Sequence, residues 1–393
     1  MSFEFTHPKF AAIHRGGAAI ADAEIVVIGF HGRGGNYENV YNKIEQAVGG
    51  ADDVAFLTPE SQNRLWFRDE FVAADNPELL QSLDAVGDLI QALNDAGISS
   101  DRIVLAGQSQ GAVLVDEYLA STGLDVRAAV SWSGALVGPF YEEVWSGQIN
   151  PFSSNPLAGM EYDRIPGEYR DADLTGQTLQ LAVHETDAKV PLEMVLATAE
   201  YYRSQGAIVE MHVEPGSSHQ ITGYDVAKLR STLLYDRDNA TFDSEATGNG
   251  GFVTAVVETH RNDPDDSRIV VKSHNALGYS VSEGEYVIQS TQGEIRSLDV
   301  TVLDNGNLAF AYVGADNVLK TDIYTADGIL VSDHVLATGA DAGALAVAAV
   351  DGGFEVHYTS VHGGAAVIAR DCDGEALDVT RKGTRAADNL VGT

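Results

Sequence analysis

Two periodicities divide the chain. Up to about residue 235, apolar runs alternate with stretches whose apolar residues recur at helical spacing. "EIVVIGF" (24–30) is apolar almost throughout, as a strand covered on both faces must be, and "YENVYNKIEQAV" after it has a helical period. "DVAFLTP" reads as a second strand. "PELLQSLDAVGDLIQALNDAG" then places Leu79, Leu80, Leu83, Val86, Ile90 and Leu93 along one helix, which Asn94–Gly97 ends. "RIVLAG", "QGAVLVDEYLAST" and "RAAVSWSG" continue as strand, helix and strand. Beyond a break, "LQLAVHE", "PLEMVLATAEYYRSQG", "IVEMHVEP" and "DVAKLRSTLL" give strand, helix, strand and helix. Such alternation predicts an α/β domain over 1–240, a parallel sheet with helices on both faces. The break itself, 136–176, is long, punctuated by Pro and Gly, and rich in Phe, Tyr and Trp. A structureless stretch of that length is rare in a compact domain unless it serves a site, so it predicts a cap or lid; the plainer alternative is surface decoration.

The polar stretch "DRDNATFDSEATGNGG" (236–251) reads as a linker, and after it helical periodicity vanishes. Short strands with turn signals follow, from "GGFVTAVVETH" to "AAVIARDCDGEALDV", predicting an all-β domain over 250–382 and a tail at 383–393. These strands repeat. Gly251-Phe252, Asn307-Leu308 and Gly353-Phe354 each open a strand, and Gly278, Gly328 and Gly374 each sit in the turn before a unit's last strand. The period suits a four-stranded propeller-like unit, but three units are too few to close a ring of about 4–8 blades. An open stack, or a sandwich of the same strands, remains.

Composition narrows the partners. The net charge is −34, from 24 basic and 58 acidic residues spread over both halves, a surface that repels nucleic acid and anionic membranes. Cys372 is the single cysteine, so neither an intrachain disulfide nor a cysteine zinc site can form. No run approaches the ~18 apolar residues that a membrane span needs. The opening "MSFEFTHPKFAAIHRGG" has no cleavable signal pattern.

Candidate chemistry centres on Ser109. "GQSQG" (107–111) lies between a predicted strand and a predicted helix, where Gly107 and Gly111 allow a tight corner and the helix N-terminus favours negative charge. A serine nucleophile needs a base. His184 and His212 fall inside strands, whereas His219 lies in a loop after one. Asp187, just past a strand end in "HETDAKVP", is the candidate orienting acid, with Glu185 its rival. Two backbone donors must hold an oxyanion: the N–H of Gln110, and that of Arg33 in the glycine-rich loop "GFHGRGG" (29–35). His31 precedes the serine and is read as holding that loop.

"FHGRGGN", "TPESQNRLWFRDEF", "GQSQGA", "SWSGAL", "ETDAKVP" and "SSHQI" stand in an order and spacing that resemble the α/β-hydrolase superfamily, in its carboxylesterase/phospholipase branch that includes acyl-protein thioesterases. Residues 24–235 carry the resemblance. It implies Ser109, Asp187 and His219 as a triad, Arg33 and Gln110 as oxyanion donors, and Trp66 near the acyl pocket; Trp132 is a second substrate-binding candidate. Ala112 departs from it, standing where members often have another glycine. More loosely, the second half resembles the β-rich repeats of large secreted bacterial proteins of the calcium-binding RTX type, with Asp388, Leu390 and Gly392 matching part of their nonapeptide. That likeness implies calcium only in a tail beyond Thr393, and export by a signal there.

The sequence thus predicts a serine carboxylesterase acting on small-molecule esters, with no cofactor or metal. Thioester or amide hydrolysis would use the same groups. A binding or adhesion protein with a vestigial hydrolase half is the alternative of another class.

Overall fold

The computed structural model describes residues 3–68, 76–137, 172–248, 250–275, 280–289 and 293–376. The predicted lid lies almost wholly outside them, as does the tail. The chain clusters into two compact units, Met1–Leu234 with Tyr279–Ser282, and Tyr235–Gly278 with Glu283–Thr393.

The first unit is built on a sheet of β1 (Phe10–Gly17), β2 (Ile25–Phe30), β3 (Val54–Ser61), β4 (Ile103–Gln108), β5 (Ala128–Trp132), β6 (Thr178–His184) and β7 (Ile208–Glu214). Their order is β1-β3-β2-β4-β5-β6-β7. The pairs from β3 through β7 are parallel, and β1 runs antiparallel to β3. The helices are α1 (Glu38–Val48), α2 (Pro77–Asp95), α3 (Gln110–Thr122), α4 (Leu192–Ser204) and α5 (Gly223–Leu234). Alternate strand residues go to opposite faces. Val26, Ile28, Phe30, Leu105 and Leu181 pack with α2, α3 and α4, while Val27, Phe56, Val104 and Trp132 pack with α1 and α5. This double covering is why β2, β4 and β5 are buried at every position and mostly apolar.

α3 is buried from Gln110 through Ala120, including Asp116 and Glu117. Each carboxyl has a partner: Ser131 Oγ donates to Asp116 Oδ2 at 2.9 Å, and the Val137 N–H donates to Glu117 Oε1 at 2.5 Å. Burial pushes the Asp116 carboxyl well above the usual carboxylate range, against the Ser131 bond.

The second unit differs from expectation at its start. The polar stretch read as a linker is not one, because Tyr235–Ala246 forms β8, paired antiparallel to β9 (Phe252–His260). A strand at the edge of its sheet needs backbone partners more than apolar side chains, so hydrophobic pattern alone misses it. β10 (Asp263–His274) and β11 (Ser280–Gln289) extend the order to β11-β10-β9-β8. β12 (Ile295–Val302), β13 (Leu308–Gly314), β14 (Val318–Tyr324) and β15 (Leu330–Thr338) form a second antiparallel meander, and β16 (Ala340–Val350), β17 (Gly353–Ser360) and β18 (Gly364–Asp371) a third.

The open stack is the arrangement observed. Val253, Ala255, Val257, Ile269 and Val271 meet Leu308, Phe310 and Tyr312 between the first and second meanders. Ala309, Ala311 and Val313, on the other face of β13, meet Val347, Phe354 and Val356 of the third. Two aspartates latch successive meanders at equivalent places, Asp243 opposite Ala255 and Asp299 opposite Ala311. Asp243 Oδ2 accepts the Val300 N–H at 2.8 Å, and Asp299 Oδ2 accepts that of Val347.

Burial, and then the facing Asp243 carboxyl, push Asp299 from its ordinary 3.8 up to about 7. A carboxyl raised in the folded state stabilises the fold fully below its unfolded pKa, and that contribution is lost as pH rises through the folded value. The unfolding temperature of this unit should therefore fall as pH rises between about 4 and 7. Asp299→Asn keeps an acceptor for Val347 and should flatten that slope. Circular dichroism melts with equal slopes in the two proteins would contradict the assignment.

Candidate active site

Ser109 stands between β4 and α3 with φ 53° and ψ −117°, a conformation an ordinary side chain avoids. Its neighbours explain how it is held. A Cβ on Gly107 would strike the Gly111 carbonyl, and one on Gly111 would strike the Phe30 carbonyl. Both positions therefore require glycine, and the chain turns sharply between them. The Ser109 N–H donates to the Trp132 carbonyl at 2.9 Å, and its own carbonyl accepts from Val113 at 2.9 Å to start α3. At the top of that helix the first backbone N–H groups have no intrahelical acceptor, which favours negative charge beside the serine.

The structure brings Asp187, and not Glu185, to His219. His219 Nδ1 lies 2.6 Å from Asp187 Oδ2, and the Asp187 side chain is wholly buried. Asp187 Oδ1 accepts the N–H groups of Lys189 at 2.8 Å and Val190 at 3.2 Å. Burial acts to raise the Asp187 pKa, but the His219 bond and the two backbone donors together outweigh it and hold the carboxyl below its ordinary value. The Asp187 carboxylate is thus placed to accept from Nδ1–H, the tautomer in which Nε2 carries no proton. Glu185 is exposed. Of the other histidines weighed, His184 is buried, and His212 is buried with Nε2 at 3.3 Å from Glu214 and its ring stacked on Tyr224.

Ser109 and His219 line one cavity of about 350 Å³, together with Gly32, Arg33, Gly35, Asn39, Gln108, Lys189 and Gln220. The loop carrying Arg33 turns tightly, with the Gly35 N–H bonded to the Gly32 carbonyl at 3.1 Å. His31 fixes it: Nδ1 is 2.8 Å from the Gly32 carbonyl, and Nε2 is 3.1 Å from both the Ser61 N–H and its hydroxyl. Burial lowers the His31 pKa, which keeps the ring neutral, with Nδ1–H donating and Nε2 accepting. This matches the reading of His31 as a loop anchor.

Three supports were not foreseen. Gln108 Nε2 donates to the His219 carbonyl at 3.1 Å, tying the serine's own neighbour to the histidine loop. The Gln110 side chain accepts the Trp66 N–H at 3.0 Å and donates to the Phe67 carbonyl at 2.8 Å. Trp66 Nε1 in turn donates to the His31 carbonyl at 2.7 Å. Trp66 and Trp132 are only 1% and 3% exposed. Neither is among the described residues that line the cavity. Glutamine on both sides of a Gly-x-Ser-x-Gly serine is the signal that could have pointed to the first two contacts.

No curated protein matches the sequence. Residues 18–143 match the phospholipase/carboxylesterase family. That span holds the Arg33 loop, Trp66 and Ser109, while Asp187 and His219 lie beyond it. Among solved structures, the chain is similar to a phospholipase/carboxylesterase from Dyadobacter fermentans at 24% identity, covering 59% of this chain and 99% of that one, with a TM-score of 0.47. It is also similar to carboxylesterases from Bacillus cereus, at 18% identity over 56% and 92% with a TM-score of 0.41, and from Mesorhizobium loti, at 18% over 55% and 91% with 0.42. The matched residues lie within the α/β unit, whose mixed sheet and flanking helices have an α/β-hydrolase arrangement and are followed by an all-β region. Among the described residues no helix is long and apolar enough to cross a membrane, and no cluster of three or more His, Cys, Asp or Glu side chains could hold a metal.

The corner can be tested without any substrate. Gly111→Ala sets a methyl group against a backbone carbonyl that cannot move aside. Gly87→Ala, inside α2, meets only the Tyr118 ring at 3.6 Å. Urea denaturation should show Gly111→Ala strongly destabilised, and Gly87→Ala unchanged or more stable by up to ~1 kcal/mol. Similar effects at both sites would remove the steric account of the corner.

Proposed function

We propose that the chain is a serine carboxylesterase that works through an acyl-enzyme on Ser109. The observation that carries this reading is the 2.6 Å contact of His219 Nδ1 with a buried Asp187, in a histidine that shares its cavity with a serine held at positive φ. The family match over 18–143 supports ester hydrolysis as the chemistry.

Ser109 Oγ attacks the ester carbonyl carbon while its proton passes to His219 Nε2. Asp187 keeps the tautomer that leaves Nε2 basic, and its charge stabilises the imidazolium that forms. The carbonyl oxygen, now an anion, takes hydrogen bonds from the N–H groups of Gln110 and Arg33; one such donor is worth about 10²–10³ in kcat. The tetrahedral intermediate collapses, and the leaving alcohol takes the proton from His219. A water then gives a proton to the same nitrogen and attacks the acyl carbon, releasing the acid and restoring the serine. Every step uses side chains and backbone of the first unit.

A panel of p-nitrophenyl esters from short to long acyl chains tests the reading. Ser109→Ala should lower turnover by about 10⁴-fold or more while the fold is kept. Asp187→Asn should lower kcat by about 10⁴-fold, because the amide favours the wrong tautomer. Glu185→Gln should leave kcat within about twofold of wild type, as expected for an exposed side chain that does not bond His219. Turnover surviving in Ser109→Ala would end the nucleophile assignment, and the reverse order of the two acid variants would move the acid to Glu185.

A further inference from the structure

The cavity at Ser109 has the wrong charge for this chain. Acidic residues outnumber basic ones by 58 to 24, yet the described residues lining it include two cations, Arg33 and Lys189, and no carboxylate. The remaining polar side chains are Asn39, Gln108, Gln220 and His219. Lys189 is placed there by the site itself. Its backbone N–H is bonded to Asp187 Oδ1 at 2.8 Å, so the segment that holds the His219 partner also sets the backbone from which the lysine side chain reaches the cavity. The lysine side chain is exposed at the cavity and makes no ion pair among the described residues. Arg33 has other contacts, so the inference rests on Lys189.

A volume of about 350 Å³ lies at the small end of ligand sites, which run from roughly 300 to 1,000 Å³. A small ester seated on Ser109 shares this cavity with Lys189. At the rim a neutral chain end gains nothing from an ammonium group, whereas an anion a few ångströms away is attracted well inside the ~8 Å screening length of physiological salt. The repulsive field of the whole chain acts at longer range and is largely screened there.

We propose that Lys189 selects small esters that carry a carboxylate a few carbons from the scissile carbonyl, such as monoesters of short dicarboxylic acids. This rests on the serine-esterase reading above and names its substrate class. Lys189 is a specificity determinant in this account: its ammonium group holds the remote carboxylate and takes no part in bond making at the ester.

The test compares 4-nitrophenyl hydrogen adipate with its neutral methyl ester, two substrates of nearly the same shape with the same leaving group. Wild type should prefer the anion by about tenfold or more in kcat/KM, with most of the difference in KM, as expected when one charged contact is gained. Lys189→Met should reduce that ratio by about tenfold, and Lys189→Arg should keep most of it. Binding of adipate itself to Ser109→Ala, measured by calorimetry, should weaken by a similar factor when Lys189→Met is added. A wild-type ratio near one, or a ratio unmoved by Lys189→Met, would overturn the proposal while leaving the esterase reading intact. Absence of turnover for both esters, with adipate binding still dependent on Lys189, would instead overturn the esterase reading and keep the anion site. Absence of both would overturn both.

Discussion

The backbone contact between Gly111 and the Phe30 carbonyl governs the geometry of the site. With only hydrogen at Gly111, α3 can start directly against the end of β2, and with only hydrogen at Gly107 the chain can reverse above β4. Between these two contacts Ser109 is forced to φ 53°. The cost of that conformation, on the order of 1–3 kcal/mol, is carried by the packing of two apolar layers against a sheet that cannot shift to relieve it. One close approach thus places the hydroxyl, aims the helix N-terminus and brings the Arg33 loop alongside.

Around that corner the polar contacts form a continuous chain. Gln110 holds Trp66, Trp66 holds the His31 carbonyl, and His31 holds Gly32 and Ser61. On the other side Gln108 holds the His219 carbonyl, and Asp187 holds the His219 ring. The two glutamines flanking the serine therefore tie it to the loop proposed to bind the oxyanion and to the loop carrying the proposed base. Most of these groups are buried, where an unpaired donor or acceptor costs about 1–3 kcal/mol, so the network rigidifies the site as well as arranging it.

Much of this was legible in the chain. The apolar runs of β2, β4 and β5 are visible because both their faces are covered, and the serine corner because a fixed spacing of glycines has a steric cause. The choice of Asp187 over Glu185 followed from position relative to a strand end. What escaped the sequence was of three kinds. Edge strand β1 has too few buried side chains to impose a clean alternation, and β8 is polar along most of its length. Side-chain contacts between distant segments, such as Gln108 with His219, leave no periodic trace. The burial of Trp66 and Trp132 is set by neighbours far along the chain, which no local pattern records. In the β-rich unit the repeat was readable from its glycines, while the aspartate latches that join successive meanders were not. Asp243 and Asp299 look like surface residues until their partners in the next meander are known.

The central claim is that Ser109 is a nucleophile activated by the His219–Asp187 pair. Mass spectrometry after treatment with a fluorophosphonate measures this most directly, because the reagent becomes bonded only to a serine that is already activated. The account predicts one adduct, in the tryptic peptide Ile103–Arg127, localised to Ser109 and not Ser121, with labelling greatly slowed by Asp187→Asn. An unlabelled protein, or labelling at Ser109 that proceeds equally fast without the Asp187 carboxylate, would contradict it.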